Sequence, residues 1–447
     1  MLDQIHKTVN EQQPKPARDF SHAWRALRHR NFRLFFGGQS ISLIGTWMTR
    51  VATSWLVYRL TRSPLMLGTV GFAGQVPTFL LAPLAGVIAD RVDRRSLLVW
   101  TQAISMLQSL ALAALTLTHR INIKEVLALS VVQGIVNAFD MPGRQSFMLE
   151  MVEDRADLSN AIAINSSMVH LARLVGPALA GIVIAATNEG WCFGIDGVSY
   201  IAVIISLLMM RVDAAPAKTS DSMLAQLREG WTYVASFTPV RNLLLLVGLV
   251  GLMGWPYMVL MPIFAVRVLH GGPHTLGFLM GAVGVGSLIS ALMLIVRRSV
   301  RGLTGVIPVA AAILGIGLVL FGFSHALWLS MLMMLLTGFG MMQSLTASNT
   351  IIQTLVDEKM RGRVMSFYTM AFVGTAPLGS LLAGGLAHSI GAPRTVIFSG
   401  VMCVAASLWF STQLKAIRKE IRPVYERLGI MPQRVIVAAE TIPPDGQ

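Results

Sequence analysis

Charged residues and cysteine are both scarce in this chain of 447 residues. Asp, Glu, Lys and Arg make up 13% of the sequence, about half of their share in soluble globular domains, which excludes an ordinary soluble enzyme. Cys192 and Cys403 are too few for a disulfide framework, and Cys403 lies inside an apolar run, so we expect no bridge between them. Hydrophobic residues reach 54%, and this composition indicates an integral membrane protein.

Motifs that carry catalysis or bind cofactors are also missing. No lysine follows a glycine, so the chain lacks the phosphate-binding loop of an ATP-driven pump. It contains neither H-E-x-x-H nor G-x-S-x-G, and it has no Cys/His spacing typical of a metal site. The sequence therefore predicts a protein that is not an enzyme and needs no cofactor and no metal.

Long apolar segments recur along the chain, each about the 20 residues that cross a bilayer as a helix. Polar, glycine or proline breaks separate them, and the pattern predicts twelve spans. The predicted spans are 34–58, 65–89, 97–117, 125–147, 158–186, 194–211, 241–267, 275–296, 303–322, 327–349, 363–388 and 395–413.

The distribution of positive charge predicts the orientation of these spans. A formal net charge of +14 would suggest nucleic acid as the partner of a soluble protein, but in a membrane protein it reflects topology. With both termini on one side, the connections on that side hold 28 of the 36 Lys and Arg residues, and the opposite turns hold six. The positive-inside rule then predicts cytoplasmic termini and a multi-pass protein of the inner or plasma membrane, with no nucleic-acid partner.

The segment before the first span predicts a polar arm. Its first 19 residues lack the apolar core of a signal peptide. They are polar and rich in proline and lysine, so we expect a disordered arm. Phe20, Trp24 and Leu27 then share one helical face, the pattern of a helix lying on a membrane surface. An extended linker is the alternative.

Two halves of the chain resemble each other in sequence. Residues 63–68 match residues 272–277 at an offset of 209, and residues 45–47 match residues 254–256 at the same offset. Such a repeat with six spans per half predicts two parallel halves around an axis along the membrane normal. The predicted organisation is an N-terminal arm (1–33), a first half (34–211), a linker (212–240), a second half (241–413) and a tail (414–447).

The connection between spans two and three carries the clearest motif. Residues 86–95 (GVIADRVDRR) resemble the G-x-x-x-D-R-x-G-R-R loop of the major facilitator superfamily, with Asp93 where glycine is usual. The resemblance covers residues 22–413 and implies a fold of twelve helices in two halves. It also implies a gating role on the cytoplasmic side for Gly86, Asp90, Arg91, Arg94 and Arg95. A charge cluster that only sets topology is the alternative.

Further stretches are similar to one branch of this superfamily. Residues 31–35 (NFRLF), 134–145 (GIVNAFDMPGRQ) and 227–234 (LREGWTYV) resemble the exporter branch that includes enterobactin exporters and macrolide-efflux proteins. Residues 176–181 (GPALAG) resemble the antiporter motif G-P-x-x-G-G, with Ala180 in place of its first closing glycine. Gly176, Pro177 and Gly181 thus imply drug:proton antiport, and a kink that allows close helix packing is the alternative.

Ionisable side chains inside spans are costly, so each is a candidate for function. Gln133, Asn137, Asp140 and Arg144 share one face of the fourth span, because their spacings are 4, 3 and 4 residues. Asp140 is the carboxylate well inside a span, and we expect it to couple transport to protons. A structural pair with Arg144 is the alternative. Asp196 opens the sixth predicted span, where a helix N-cap is expected, and a proton site is the alternative.

Two arginines, Arg50 and Arg173, lie at middle depth in spans one and five, with no acidic residue at the same depth. They indicate a cavity for an anionic substrate, and hydrogen bonds to backbone carbonyls at helix kinks are the alternative. Four amides complete the expected substrate contacts, which are Gln133 and Asn137 in span four and Gln343 and Gln353 in span ten.

These patterns predict an all-helical membrane transporter that exports a drug-like or siderophore-like small molecule in exchange for protons, by alternating access. Its expected partners are that substrate, protons and the lipid bilayer, and we expect the monomer to function. Movement of lysophospholipids is one alternative. A membrane receptor or partner subunit that transports nothing is another.

Overall fold

The computed structural model describes residues 25–152, 154, 157–211, 223–297 and 299–431. Within these ranges the long elements are helices, and no strand is present. Residues 1–24 of the predicted arm, with Phe20 and Trp24 of the predicted interfacial helix, and residues 432–447 of the tail lie outside the described residues.

The first half of the chain forms six long helices. They are α1 (Arg30–Thr61), α2 (Pro64–Arg91), α3 (Arg94–Leu117), α4 (Ile123–Met151), α5 (Leu158–Ala186) and α6 (Glu189–Met209). Polar side chains set where several of them begin. Ser63, Asp93, Asn122 and Asn188 each accept a backbone N–H from the first turn of the following helix, as N-caps do.

Asp196 is not a helix cap, which corrects its predicted role. The cap of α6 is Asn188, whose side chain accepts the N–H of Gly190 at 2.9 Å. Asp196 therefore lies two turns inside α6, where it is 2% exposed. The prediction began the span at Gly194, because Glu189 and Gly190 lower the hydropathy of the turn that actually starts the helix.

The second half contains more helices because two of its spans are broken. The helices are α7 (Met223–Ser236), α8 (Thr238–Leu249), α9 (Tyr257–Ile263), α10 (Pro273–Val296), α11 (Leu303–Phe323), α12 (Leu327–Leu355), α13 (Glu358–Phe372), α14 (Thr375–Ile390) and α15 (Ala392–Arg427). The seventh span comprises α8, α9 and two π-helical turns, Val250–Gly254 and Phe264–Val268. The eleventh span comprises α13 and α14.

Eleven segments of the described chain are long and apolar enough to cross a membrane. The twelfth long segment is α1, whose 32 residues include several polar side chains such as Gln39 and Arg50. The chain is thus a multi-span helical membrane protein, as the hydropathy pattern predicted. α7 lies in the predicted linker, and the Trp231 ring of α7 is 6.0 Å from the Phe367 ring of α13.

Helix pairs of the first half recur in the second half. α2 packs against α4 and α3 against α6, and likewise α10 packs against α12 and α11 against α15. The two halves meet through two further pairs, α5 with α10 and α2 with α14. The single cysteine of each half is a free, buried thiol, in agreement with the expectation that no bridge forms.

The halves approach most closely near one end of the bundle. We call the end that holds the short loops 92–93 and 356–357 the terminal face, and the opposite end the turn face. Toward the turn face, a Cβ added to Gly181 would lie 3.0 Å from the Cα of Gly277, and one added to Gly384 would lie 2.8 Å from the Cα of Gly68. Glycine alone fits at such backbone contacts. Toward the terminal face, α5 and α10 separate around a cavity.

Candidate functional site

Two arginines and two tryptophans meet where α1, α5 and the seventh span come together. The guanidinium carbon of Arg50 lies 4.7 Å from the ring centroid of Trp47. The guanidinium carbon of Arg173 lies 5.4 Å from the centroid of Trp47 and 5.2 Å from that of Trp255. Both contacts have the geometry of cation–π interactions. Arg173 thus bridges an indole of the first half and an indole of the second half.

Local helix features position these side chains. Gly176 lets α5 approach α1, because a Cβ added there would lie 2.5 Å from the Cβ of Trp47. Trp255 directly follows the π-helical turn Val250–Gly254, an irregularity that is frequent at functional sites. The ring of Phe372 stands edge-on to Trp255, with the ring centroids 5.4 Å apart.

No carboxylate pairs with either arginine in the described part of the chain. Arg50 is exposed, whereas Nε and Nη2 of Arg173 are buried without a hydrogen-bond acceptor. Neither of these two nitrogens therefore donates to a backbone carbonyl, in contrast to what the alternative for Arg173 predicts. The buried hydroxyl of Tyr257 next to Arg173 also has no partner among the described residues. The site thus holds two positive charges and several donors that lack an acceptor among the described residues.

A cavity of about 420 Å³ lies between the halves on the terminal side of this site. Pockets for small ligands commonly have volumes of about 300–1,000 Å³. Hydroxyl, basic and apolar side chains share its wall. They include Ser166, Ser167 and His170 from α5, Leu288, Leu292 and Arg297 from the α10 side, and Met342, Thr346 and Thr350 from α12.

His170 is a cavity residue that the sequence analysis did not single out. It lies three residues before Arg173 on α5, so the two side chains project from neighbouring positions on one face. Its Nδ1 atom is buried and has no partner in the described part of the protein. Its spacing of three residues to Arg173 is the signal in the sequence, whereas the predicted site residues of the spans are carboxylates, arginines and amides.

The polar side chains of span ten, which include the predicted contacts Gln343 and Gln353, lie in different surroundings. Thr346 and Thr350 line the cavity. Gln343 is buried and accepts a hydrogen bond from Ser290 of α10 at 2.8 Å, so it joins two helices of the second half. Gln353 is exposed and donates to Asn349. Neither glutamine belongs to the cavity wall formed by the described residues, and their substrate contacts stay a prediction.

The amides predicted on α4 lie against α3. Gln133 donates to Asn137 at 3.1 Å and to Ser105 of α3 at 3.3 Å. The three residues form a polar contact between two helices of the same half. Their position does not bring them to Arg50 or Arg173 through any hydrogen bond of the described chain.

Asp140 continues this polar face and is surrounded by donors. It pairs with Arg144 one turn away, and it accepts from Thr101 Oγ1 at 3.0 Å and from Gln102 Nε2 at 2.6 Å. All three partners lie in the first half. This geometry is the one that the structural alternative describes, although the proton-coupling role of Asp140 stays a prediction.

The arginines of the loop after α2 tie helix ends together at the terminal face. Arg94 forms an ion pair with Glu150 at the end of α4. Arg95 donates through Nε to the carbonyl oxygen of Leu207 at 2.7 Å, in the last turn of α6. Such a bond satisfies a carbonyl that the helix itself leaves unpaired.

The other gating candidates are less constrained. Arg91 is exposed at the end of α2. A Cβ added to Gly86 would have no atom within 4 Å, so this glycine is not required for packing in the conformation described here. The side chain of Asp90 lies outside the described part of the structure, and the gating role of the loop stays a prediction.

Asp93 replaces the usual glycine of the loop because it caps α3. Its Oδ2 accepts the N–H of Ser96 at 2.9 Å. The hydrogen bond from the Ser96 side chain, more than any other cause, holds the pKa of Asp93 below its usual value.

We expect Asp93→Ala to destabilise α3 by about 1 kcal/mol and Asp93→Gly by only a few tenths, as at other N-caps. Because the pKa of Asp93 is lowered by folding, the stabilisation is complete well above an unfolded pKa of about 3.9 and is lost as the pH falls through the folded value. Melting temperatures in detergent at several pH values measure both effects. Equal melting temperatures for wild type and Asp93→Ala at neutral pH would contradict the capping role.

The antiporter-like motif of α5 lies at two close helix contacts. Gly176 packs on α1, as described above, and Gly181 packs on Gly277 of α10. The carbonyl oxygen of Pro177 faces the same glycine, 2.8 Å from an added Cβ. These contacts match the packing alternative, and an antiport role for Gly176, Pro177 and Gly181 stays a prediction.

Comparisons with known proteins agree with this architecture. A family model described as "Transmembrane secretion effector" matches residues 21–431. The chain is 25% identical to the staphyloferrin A transporter of Staphylococcus aureus over 85% of this chain and 95% of that protein. It is 27% identical to the multidrug efflux pump Tap of Mycolicibacterium fortuitum, over 79% and 88% respectively. It is 24% identical to the enterobactin exporter EntS of Citrobacter koseri, over 88% and 94% respectively.

Solved structures show the same fold at low sequence identity. A bacterial homologue of the human lysosomal transporter Spinster, in an inward-facing and occupied conformation, matches with a TM-score of 0.69 and 14% identity. The match covers 87% of this chain and 97% of that one. The resemblance inferred from the loop and span motifs is confirmed by the family model and by the relatives.

Proposed function

Because the chain belongs to the transmembrane secretion effector family of the major facilitator superfamily, we propose that it exports small organic anions by alternating access, driven by protons. Proteins of this superfamily transport small molecules and are not enzymes. The observation that carries the proposal is the pair Arg50 and Arg173, both within 5.4 Å of the Trp47 centroid.

Two cations at one site inside a membrane protein are costly, so they require compensation. The described residues supply aromatic rings to these arginines but no carboxylate. A guanidinium binds a carboxylate through two parallel hydrogen bonds, and aromatic rings stack on the planar part of a ligand. An organic anion with a ring or a second polar group is the ligand that best satisfies Arg50, Arg173 and Trp255.

The cavity supports loading from the terminal face. The positive-inside rule places this face in the cytoplasm, so the conformation described here would be open inward and closed outward. The hydroxyl groups and His170 of the cavity wall suit a ligand with several polar atoms. Leu288 and Met342 of the same wall suit an apolar part of that ligand. Relatives named as a staphyloferrin A transporter and an enterobactin exporter support export of siderophore-like anions from a bacterial inner membrane.

Exchange in proteoliposomes tests the proposal. Vesicles that contain the full chain would be loaded with radiolabelled citrate or 2,3-dihydroxybenzoate, and exchange against external unlabelled probe would be followed at equal pH on both sides. We expect exchange of at least one anionic probe, and slower exchange of ethidium, a cation. Exchange of ethidium with neither anion would contradict the proposed substrate class.

Paired arginine variants provide the control. Arg50→Gln removes a site cation, whereas Arg59→Gln removes a cation of the same helix that pairs with Glu189 at 2.8 Å near the turn face. We expect about tenfold slower anion exchange in Arg50→Gln, equivalent to about 1.4 kcal/mol, and little change in Arg59→Gln. Equal losses in both variants would indicate an effect on folding or topology instead of substrate contact.

A further inference from the structure

The carboxylate of Asp196 is buried in the first half, between α1, α3 and α6. Oδ2 of Asp196 accepts hydrogen bonds from Thr49 Oγ1 of α1 at 2.8 Å and from Ser109 Oγ of α3 at 3.1 Å. Its Oδ1 is buried without a hydrogen-bond partner among the described residues. A Cβ added to Gly45 would lie 2.7 Å from this oxygen, so the bare backbone of α1 covers it.

The partners of Asp196 tolerate both of its protonation states. Hydroxyl groups donate or accept, so Thr49 and Ser109 can reverse their roles when the carboxyl gains a proton. Ser109 also lies 3.0 Å from the carbonyl oxygen of Phe193, and its one hydrogen serves either acceptor. No cation pairs with Asp196 in the described part of the chain.

Asp140 has different surroundings. The guanidinium of Arg144, the amide nitrogen of Gln102 and the hydroxyl of Thr101 all face its carboxylate. A cation therefore pairs with Asp140, whereas both hydrogen-bond partners of Asp196 in the described chain are neutral hydroxyls.

Comparison of the two halves shows that the buried carboxylate has no equivalent at the corresponding helix contact of the second half. Gly45 faces Asp196, and its counterpart in the sequence repeat, Gly254, faces Cys403 of α15, 3.4 Å from an added Cβ to Sγ. The second half thus packs the equivalent helix contact with apolar side chains, since Leu314 Cδ2 lies 2.9 Å from the same added Cβ. Packing alone does not demand a carboxylate at this position.

We propose that Asp196 is the proton-binding group of this transporter, alternating between a charged form that holds α1 and a neutral form that releases it. The inference rests on the proposed function. An ionised carboxylate forms roughly twice as strong a hydrogen bond to Thr49 as a neutral carboxyl does. Thr49 precedes Arg50 in α1, so loss of the proton fixes the helix segment that carries the substrate cation. Proton and substrate then occupy the protein in alternation, as antiport requires.

Few other groups titrate around Asp196. Cys192 and Tyr200 of α6 lie one turn away on either side. α1 and α3 present the hydroxyls of Thr49 and Ser109, and Arg50 of α1 neighbours Tyr200. α5, the remaining helix packed on α6, makes no ion pair with Asp196 in the described ranges.

Infrared spectroscopy tests proton binding without any substrate. The full chain in lipid nanodiscs would be titrated with acid, and the C=O stretch of a protonated carboxyl would be recorded for wild type, Asp196→Asn and Asp140→Asn. We expect a band that appears on acidification in wild type, is absent in Asp196→Asn and is present in Asp140→Asn. A band that persists in Asp196→Asn and disappears in Asp140→Asn would overturn the proposal.

Transport distinguishes coupling from a merely structural role. In proteoliposomes, we expect Asp196→Asn to lose stimulation of 2,3-dihydroxybenzoate flux by a pH gradient about tenfold, while exchange at equal pH continues. Asp196→Cys, which copies the second half, gives the same result if Asn perturbs the fold. Gradient stimulation retained in both variants would contradict the inference. If wild type exchanges no anion, the proposed substrate class fails, but the infrared result still decides whether Asp196 binds the proton.

Discussion

Arg173→Gln is expected to weaken binding of 2,3-dihydroxybenzoate by about 10- to 100-fold, because a hydrogen bond to a charged group contributes about 1.5–3 kcal/mol. Glutamine keeps a polar side chain but removes the charge and the contact that Arg173 makes with both Trp47 and Trp255. Isothermal titration calorimetry of the detergent-solubilised protein measures the change. The loss should be smaller for ethidium, since a cation gains nothing from Arg173.

Arg173→Lys separates charge from shape. Lysine keeps the positive charge but cannot form the bidentate, stacked contact of a planar guanidinium. We therefore expect an affinity between those of wild type and Arg173→Gln. If Arg173→Gln binds both probes as wild type does and melts at the same temperature, the arginine pair does not contact substrate.

Gly384→Ala is expected to reduce exchange strongly, whereas Gly385→Ala next to it is expected to change exchange little. A Cβ at Gly384 would lie 2.8 Å from both the Cα of Gly68 and the carbonyl oxygen of Pro64, so α2 and α14 must move apart. A Cβ at Gly385 meets no atom within 4 Å. Overpacking of this kind costs about 1–3 kcal/mol, which corresponds to a shift of about 5- to 150-fold against the state closed at the turn face.

Distance measurements check which state the glycine variant populates. Spin labels at Ser63→Cys and Ser389→Cys flank the α2–α14 contact near the turn face, and the two native thiols are buried. We expect a longer distance population in Gly384→Ala and an unchanged distribution in Gly385→Ala. Unchanged distances with lost exchange would show that the methyl group acts otherwise than by separating the halves.

Hydropathy and repeats predicted the architecture because long apolar runs, charged loops and glycine or proline breaks are local features. The one-sided stripe from Gln133 to Arg144 was also local, since helical periodicity alone places its members together. The first turn of α6, which Asn188 caps, was not predicted because Glu189 and Gly190 lower its hydropathy. That one shift turned Asp196 from a buried carboxylate into an apparent cap.

The surroundings of each polar group were not predictable, because they depend on other helices. The partners of Asp140 on α3 are about 40 residues away in sequence. Trp255, which contacts Arg173, directly follows a π-helical turn of the seventh span. A periodic reading of the sequence assumes regular α-helix, so such a turn leaves no trace in the pattern.

The two glycine contacts between the halves have the form of an isologous interface. Gly68 of α2 meets Gly384 of α14, and Gly277, the counterpart of Gly68 in the sequence repeat, meets Gly181 of α5. Each half therefore contributes one copy of both surfaces, as each subunit does in a twofold-symmetric homodimer. A single six-helix unit with this pair of surfaces would already be self-complementary. The single chain thus has the contact pattern of a homodimer of six-helix units, with different side chains, Asp196 and Cys403, facing Gly45 and Gly254 in its two halves.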